Sequence, residues 1–124
     1  MNVVLWIVAG LLAAAFLTAG VMKLSQPKAK LAASGMAWTE DFSTGTVKLI
    51  GTLELLAGIG LILPAVLDIA PVFVPLAALG LVLVMASAMV VHARRKEPQA
   101  IVLNVVLLLL AAFVVWGRFG PYSF

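Results

Sequence analysis

The chain contains four long apolar blocks, each close to the length of a helix that crosses a membrane. About 20 apolar residues, at about 1.5 Å each, span a hydrocarbon core of about 30 Å. The blocks predict transmembrane helices near residues 3–22, 46–63, 72–93 and 99–117. The chain is 65% hydrophobic and 10% charged over 124 residues, whereas soluble domains are about half apolar and a quarter charged. We predict an all-α integral membrane protein in which residues 1–124 form a single four-helix bundle.

The first apolar block also has the small residues that a signal peptide places before its cleavage site. However, no Lys or Arg precedes this block, and its apolar run is longer than the roughly 7–15 residues of a signal peptide. We therefore expect it to remain as the first membrane helix.

One connection between the predicted helices is longer than the others. Residues 25–45 are predicted to lie along the membrane surface, because Trp38 and Phe42 are amphipathic rings of the kind that collect at the headgroup boundary. Thr39 is expected to cap the second membrane helix. Glu40 and Asp41 would then lie in its first turn, where acids favour the positive helix end.

The basic residues are distributed unequally between the two sides of the bundle. Arg118 is the only Lys or Arg on the side of the termini, against seven on the other: Lys23, Lys28, Lys30, Lys48, Arg94, Arg95 and Lys96. The positive-inside rule then predicts a multi-pass protein of the cell (inner) membrane with both termini extracytoplasmic.

The basic residues of the third connection form a cluster at the predicted membrane boundary. Arg94, Arg95 and Lys96 are expected to contact anionic lipid headgroups. His92, close to this cluster, is interpreted as a solvated interfacial side chain.

One acid lies deep within the second apolar block. Glu54 follows Lys48 by six residues, which places it about 9 Å inside the boundary. Thr18, Ser87 and Asn104 lie at similar depth, five to seven residues from a charged residue at the end of their own helices. We expect one polar side chain from each helix to meet at a common level inside the bundle.

Small residues predict which helix faces turn inward. Gly51 and Gly58 share a face with Glu54 on the second helix, and Gly10 shares a face with Thr18 on the first. Membrane helices pack closely where such residues let their backbones approach. These faces are therefore predicted to form the interior.

Two interpretations of the polar layer stay open. In the first, Glu54 is a structural lock held by one or more partners: Lys23, Asn104, Ser87 or Thr18. A lone charge costs at least about 2.5–3.5 kcal/mol in a membrane, more than the roughly 0.6–2 kcal/mol of one interhelical polar contact. In the second, Glu54 binds a ligand headgroup or carries a proton, as intramembrane acids commonly do.

Arg118 is a further candidate for the polar layer. It follows Asn104 and Ala111 at a seven-residue spacing, which places the three on one helix face. Its side chain either turns inward from this face or snorkels from the helix end to the interface.

The residue types exclude several kinds of site. The chain has no cysteine and a single histidine, which excludes disulfides, iron–sulfur clusters and cysteine- or histidine-rich metal sites. We predict no metal site and no cofactor held by the chain itself. The net charge of +3 reflects the loops of a membrane protein and predicts no binding of nucleic acid.

Three segments together resemble the DoxX-like family of small four-helix membrane proteins. They are TAGVMKLSQP at the end of the first helix, VKLIGTLELLAGIGLILP in the second, and the pair Gly117–Arg118 at the end of the fourth. The resemblance implies a linked pair formed by Lys23 and Glu54. It also implies associations with quinone-linked oxidation, oxidative-stress complexes or channel assembly in different branches.

Three classes of function follow. The first is a non-catalytic accessory or assembly subunit that contacts other membrane proteins or copies of itself. The second is a binder of a quinone, a lipid or another lipophilic molecule, with a quinone-linked oxidoreductase subunit as its enzymatic variant. The third, a small proton-coupled transporter, is disfavoured because there is no inverted repeat and only one deep acid. We expect the first two combined, in a protein embedded in the lipid bilayer.

Overall fold

The structure, a computed structural model, describes residues 1–33 and 35–123, and no β-strand occurs among them. A 3-10 helix spans Ala37–Asp41. The α-helices are α1 (Asn2–Ser25), α2 (Lys28–Ala33), α3 (Thr44–Val66), α4 (Phe73–Arg94) and α5 (Pro98–Phe119). All of these except α2 are long and apolar enough to cross a membrane. The predicted all-α, four-helix fold is confirmed.

The bundle consists of two closely packed helix pairs, α1 with α3 and α4 with α5, which also contact each other. Glycines allow the first pair to approach. A Cβ added to Gly20 would lie 2.7 Å from the carbonyl oxygen of Gly51, and one added to Gly58 would lie 2.8 Å from the Leu17 side chain. The predicted inward face of Gly51 and Gly58 is therefore the real α1–α3 interface.

The predicted inward face of α1 is wrong. Gly10 and Thr18 are both exposed, and a Cβ added to Gly10 would meet no atom within 4 Å. The buried face lies beside it and includes Ala13, Gly20 and Lys23. Small residues occur on both faces of α1, so Gly10 and Thr18 do not define its buried face.

The segment between α1 and α3 folds over one end of the bundle, here called the basic end, where the C-termini of α1 and α4 meet the N-termini of α3 and α5. The N-cap of α3 is Ser43, whose hydroxyl accepts a hydrogen bond from the Thr46 amide at 3.1 Å. The predicted cap, Thr39, lies instead in the 3-10 helix and donates to the Met36 carbonyl. The expected capping position was thus four residues too early.

An ion pair joins the two connections that meet at the basic end. Arg95 Nη1 lies 2.6 Å from Asp41 Oδ2, across 54 residues of sequence. The segments that carry most of the basic residues therefore lie on the same side of the bundle, as an even number of crossings requires.

The apolar core lies mainly in the half of the bundle that is remote from the basic end. Its members come from all four long helices: Val8, Leu12, Ala13, Phe16, Leu61, Val74, Ala78, Leu81, Met85, Ala111 and Val114. Many large side chains point outward instead, among them Leu11, Leu83 and Val102, each more than 60% exposed. In a bilayer these side chains face lipid tails, so their exposure to the surroundings is not costly.

Candidate functional site: a cavity at the basic end

A buried ion pair joins α1 and α3. Lys23 Nζ lies 2.5 Å from Glu54 Oε1, and the two side chains are only 6% and 5% exposed. The stem of Lys23 lies across Gly51, where an added Cβ would be 2.7 Å from the Cβ of Lys23. Because Gly51, one turn before Glu54, has no side chain, the stem of Lys23 has room to reach the carboxylate. Among the partners considered for Glu54, the hydrogen-bonded one is Lys23.

Trp38 covers this pair from the side of the connecting segment. Its ring lies 5.5 Å from Lys23 Nζ, within the range of a cation–π contact. The same ring packs edge-on against Phe42 at 5.9 Å and against His92 at 6.5 Å. The segment between α1 and α3 therefore forms a roof whose aromatic ring contacts both α1 and α4.

His92 links the roof to the charged surface. Its Nδ1 lies 2.9 Å from Glu97 Oε1, and its side chain is 13% exposed, so its interpretation as a solvated side chain is wrong. Glu97 also accepts a hydrogen bond from Arg95 Nε at 3.2 Å. The hydrogen bond with His92, followed by the charge of Arg95, holds the pKa of Glu97 below its ordinary value. The hydrogen bond to Asp41 correspondingly raises the pKa of Arg95.

A cavity of about 760 Å³ lies beneath this roof, between the four long helices. Apolar side chains form most of its lining. Every wall also contributes a polar side chain or an indole ring: Lys23, Trp38, Glu54, Ser87, His92 and Asn104. Its volume falls within the roughly 300–1,000 Å³ that is typical of small-molecule sites.

Asn104 contributes an unsatisfied hydrogen-bond donor to the lining of the cavity. The residue is 7% exposed, and its Nδ2 is buried without a hydrogen-bond partner. Most buried amide groups in proteins are hydrogen-bonded, and an unsatisfied one costs about 1–3 kcal/mol. A donor therefore lines a cavity large enough to hold a molecule that could accept from it.

Two members of the predicted polar layer direct their hydroxyl hydrogen bonds away from Glu54. The Thr18 hydroxyl donates to the Ala14 carbonyl of its own helix, and Thr18 is exposed. The Ser87 hydroxyl likewise donates to the Leu83 carbonyl, although Ser87 lines the cavity. Both hydroxyls therefore donate to carbonyls of their own helix. The prediction that four polar residues meet inside the bundle is wrong for Thr18, which faces outward.

Arg118 lies far from this cavity. It is 14 residues beyond Asn104 on α5, or roughly 21 Å along the helix axis. Its side chain turns inward and is 4% exposed, with Nη1 donating to Asn2 Oδ1 at 2.6 Å and to the Tyr122 carbonyl at 2.9 Å. It therefore joins the two ends of the chain rather than the polar layer.

The predicted lipid-contacting cluster divides into two kinds of residue. Arg94 and Lys96 are exposed, whereas Arg95 forms the ion pairs with Asp41 and Glu97 described above. Contact with anionic lipid stays a prediction, and the free surface that it requires is provided by Arg94 and Lys96.

A known protein family matches most of the chain. A model of the DoxX-like family matches residues 7–114, a range that includes Lys23, Glu54 and Asn104 but not Arg118. The resemblance noted in the sequence is thereby confirmed for most of the chain. No curated protein and no solved structure matches it.

Proposed function

The chain belongs to the DoxX-like family of membrane proteins, and we propose that it is a non-catalytic accessory subunit that binds a lipophilic molecule at the basic end of its bundle. The molecule belongs to the class that combines a hydrocarbon body with a small polar headgroup, such as a quinone or a lipid. The observation that supports this proposal is the cavity, in which a buried ion pair and an unpartnered amide lie among apolar side chains.

The ion pair supports both a structural role and a binding role. Lys23 and Glu54 compensate each other's charge within the bundle, which holds α1 against α3 and fixes one wall of the cavity. Lys23 and Glu54 are each other's ion-pair partner. This supports a function in which the pair shapes a binding site over one in which either residue transfers protons.

The accessory role is supported by the composition of the site, whose lining is mostly apolar and whose two deep charged groups are paired with each other. A bound lipophile in such a cavity is positioned by the protein, and its further chemistry or transport would belong to a partner protein in the same membrane. We propose the cell membrane as this location, with the basic end on the cytoplasmic side.

The proposal is tested with a matched pair of substitutions on α4. Ala88 lines the cavity, whereas Ala86, two residues earlier, is exposed and does not. Affinity-tagged wild type, Ala88→Phe and Ala86→Phe would be purified in mild detergent and analysed by lipid and protein mass spectrometry.

The expected result is a lipophile that copurifies with wild type and Ala86→Phe and is lost from Ala88→Phe. An accessory role also predicts that a membrane protein copurifies with the wild type. Identical lipid content in all three proteins would contradict the binding function, and absence of any copurifying membrane protein would contradict the accessory role.

A further inference from the structure

We infer that the ligand is a neutral amphiphile with one long hydrocarbon chain, whose carbonyl headgroup accepts a hydrogen bond from Asn104 and whose chain lies in a groove between α3 and α4. This inference rests on the proposed binding function and specifies the ligand class. The groove between α3 and α4, whose lining is entirely apolar, would hold the hydrocarbon chain.

The headgroup is neutral because the cavity already has balanced charges. Lys23 and Glu54 neutralise each other, and His92 is engaged with Glu97 at the rim. A charged headgroup would add an uncompensated charge to a site with a mostly apolar lining, which is costly.

The headgroup is an acceptor because the unpartnered polar group is a donor. Asn104 Nδ2 is buried without a partner in the wall formed by α5, and an amide NH₂ can only donate. A carbonyl oxygen provides the required acceptor without introducing charge. Isoprenoid quinones and monoacylglycerols both have a neutral headgroup with a carbonyl oxygen.

A second, apolar space lies beside the cavity and can hold the hydrocarbon chain. A groove of about 790 Å³ runs between α3 and α4, and its lining is apolar throughout. Leu53, Leu83 and Val84 line both the cavity and the groove, so the two spaces are adjacent at these side chains. Leu53 and Leu83 are exposed, so the groove is open to the lipid-facing surface there. The cavity and groove together match the shape of a molecule with a compact head and an extended tail.

The length of the groove indicates a long chain. It follows α3 from Leu53 to the C-cap residue Leu67, which is roughly 21 Å at 1.5 Å per residue. This is most of a hydrocarbon core of about 30 Å. A short-chain molecule would leave the part of the groove near Gly60 and Phe73 to membrane lipid.

The experiment uses a monoacylglycerol with a diazirine near the end of its chain, added to the full-length protein in detergent. After illumination, the labelled residues are mapped by peptide mass spectrometry. Labelling is expected in residues 56–83 of the groove walls and is expected to be competed by a neutral carbonyl amphiphile. Stronger competition by a long-chain isoprenoid quinone or by unlabelled monoolein identifies which source provides the ligand. Oleate, which carries a negative headgroup, should compete at least about tenfold more weakly.

Two glycines provide matched variants, since a Cβ on either would meet no atom within 4 Å. Gly80 lines the groove, and Gly10 lies on the exposed face of α1. Gly80→Phe should displace the labelling from the groove, whereas Gly10→Phe should leave it unchanged. Asn104→Leu should abolish labelling, and the glycine variants give an independent result if that protein fails to fold.

The outcomes separate this inference from the proposed function. Labelling confined to the cavity, or unaltered in Gly80→Phe, would overturn the groove assignment and leave the binding function in place. Equal competition by oleate would overturn the neutral headgroup. Labelling spread over all lipid-facing helices and unchanged in Asn104→Leu would overturn both the inference and the binding function.

Discussion

The ammonium of Lys23 lies 2.5 Å from the carboxylate of Glu54, and the backbones that carry them meet through two glycines. A Cβ at Gly20 would collide with the α3 backbone, and one at Gly51 would collide with the stem of Lys23. An acid is thus tolerated within an apolar helix because the neighbouring helix brings a cation to it.

The first prediction concerns the energetic coupling of this pair. Lys23→Met leaves Glu54 without its ionic partner, and removal of one member of a buried pair typically costs about 3–5 kcal/mol. The double variant Lys23→Met with Glu54→Gln removes both charges and should be more stable than the single variant. Thermal unfolding of both singles and the double in detergent measures the coupling. Simple additivity would show that the two side chains are not coupled.

The second prediction concerns the close approach of α1 and α3. Gly20→Ala should destabilise the protein by about 1–3 kcal/mol, because the new methyl would lie 2.7–2.9 Å from α3 backbone atoms. Gly10→Ala makes the same change where no atom is near. It should be neutral or stabilise by up to about 1 kcal/mol through helix propensity. Opposite effects on the unfolding temperature are expected, and equal effects would contradict the tight interface.

The number and type of helices could be predicted from the sequence because membrane thickness dictates the length of an apolar block. Helix orientation could be predicted for α3, where Glu54 marks the same face as Gly51 and Gly58. It could not be predicted for α1 from Gly10 and Thr18, because both lie on a lipid-facing side that is as apolar as the buried one. The polar residue that marks the buried face of α1 is Lys23, which the sequence names as a candidate partner of Glu54.

The candidate site was predicted in part. Depth along the helices identified Glu54 and Asn104, which both line the cavity. Trp38 and His92 were assigned to the membrane boundary because helical depth gives no information about a loop that folds back over the bundle. The length of the first connection was the available signal, since a segment with its own helices and a tryptophan can cover a site.

The third prediction concerns the opposite end of the bundle. Arg118→Met removes the donor to Asn2 and to the Tyr122 carbonyl, and hydrogen bonds to charged groups contribute about 1.5–3 kcal/mol. The unfolding temperature in detergent should fall accordingly. Arg94→Met, at an exposed position, should change stability by no more than about 0.5 kcal/mol. Equal effects of the two substitutions would contradict a structural role for Arg118.

The fourth prediction concerns orientation in the membrane. The chain contains no cysteine, so single cysteines can be introduced at two exposed positions, Arg94 at the basic end and Ser123 at the other. A maleimide that cannot cross membranes should label Ser123→Cys in intact cells and Arg94→Cys only after the cells are permeabilised. The reverse pattern would overturn the proposed orientation.

The fifth prediction concerns the charge network that closes the roof over the cavity. His92 and Arg95 hold the pKa of Glu97 below its ordinary value, so folding favours the ionised carboxylate. The resulting stabilisation is complete above the unfolded pKa of about 4.3 and is lost as the pH falls through the lower folded pKa.

Glu97→Gln should therefore unfold at a lower temperature than the wild type at neutral pH, and the difference should shrink as the pH falls below about 4. Thermal unfolding in detergent across this range gives the measurement. Glu40→Gln makes the same charge change at an exposed side chain of the basic end and controls for net charge. A difference between Glu97→Gln and the wild type that stayed constant down to acidic pH would show that the contacts of Glu97 act without its charge. The link from the roof through His92 to Arg95 would then rest on packing rather than on ionisation.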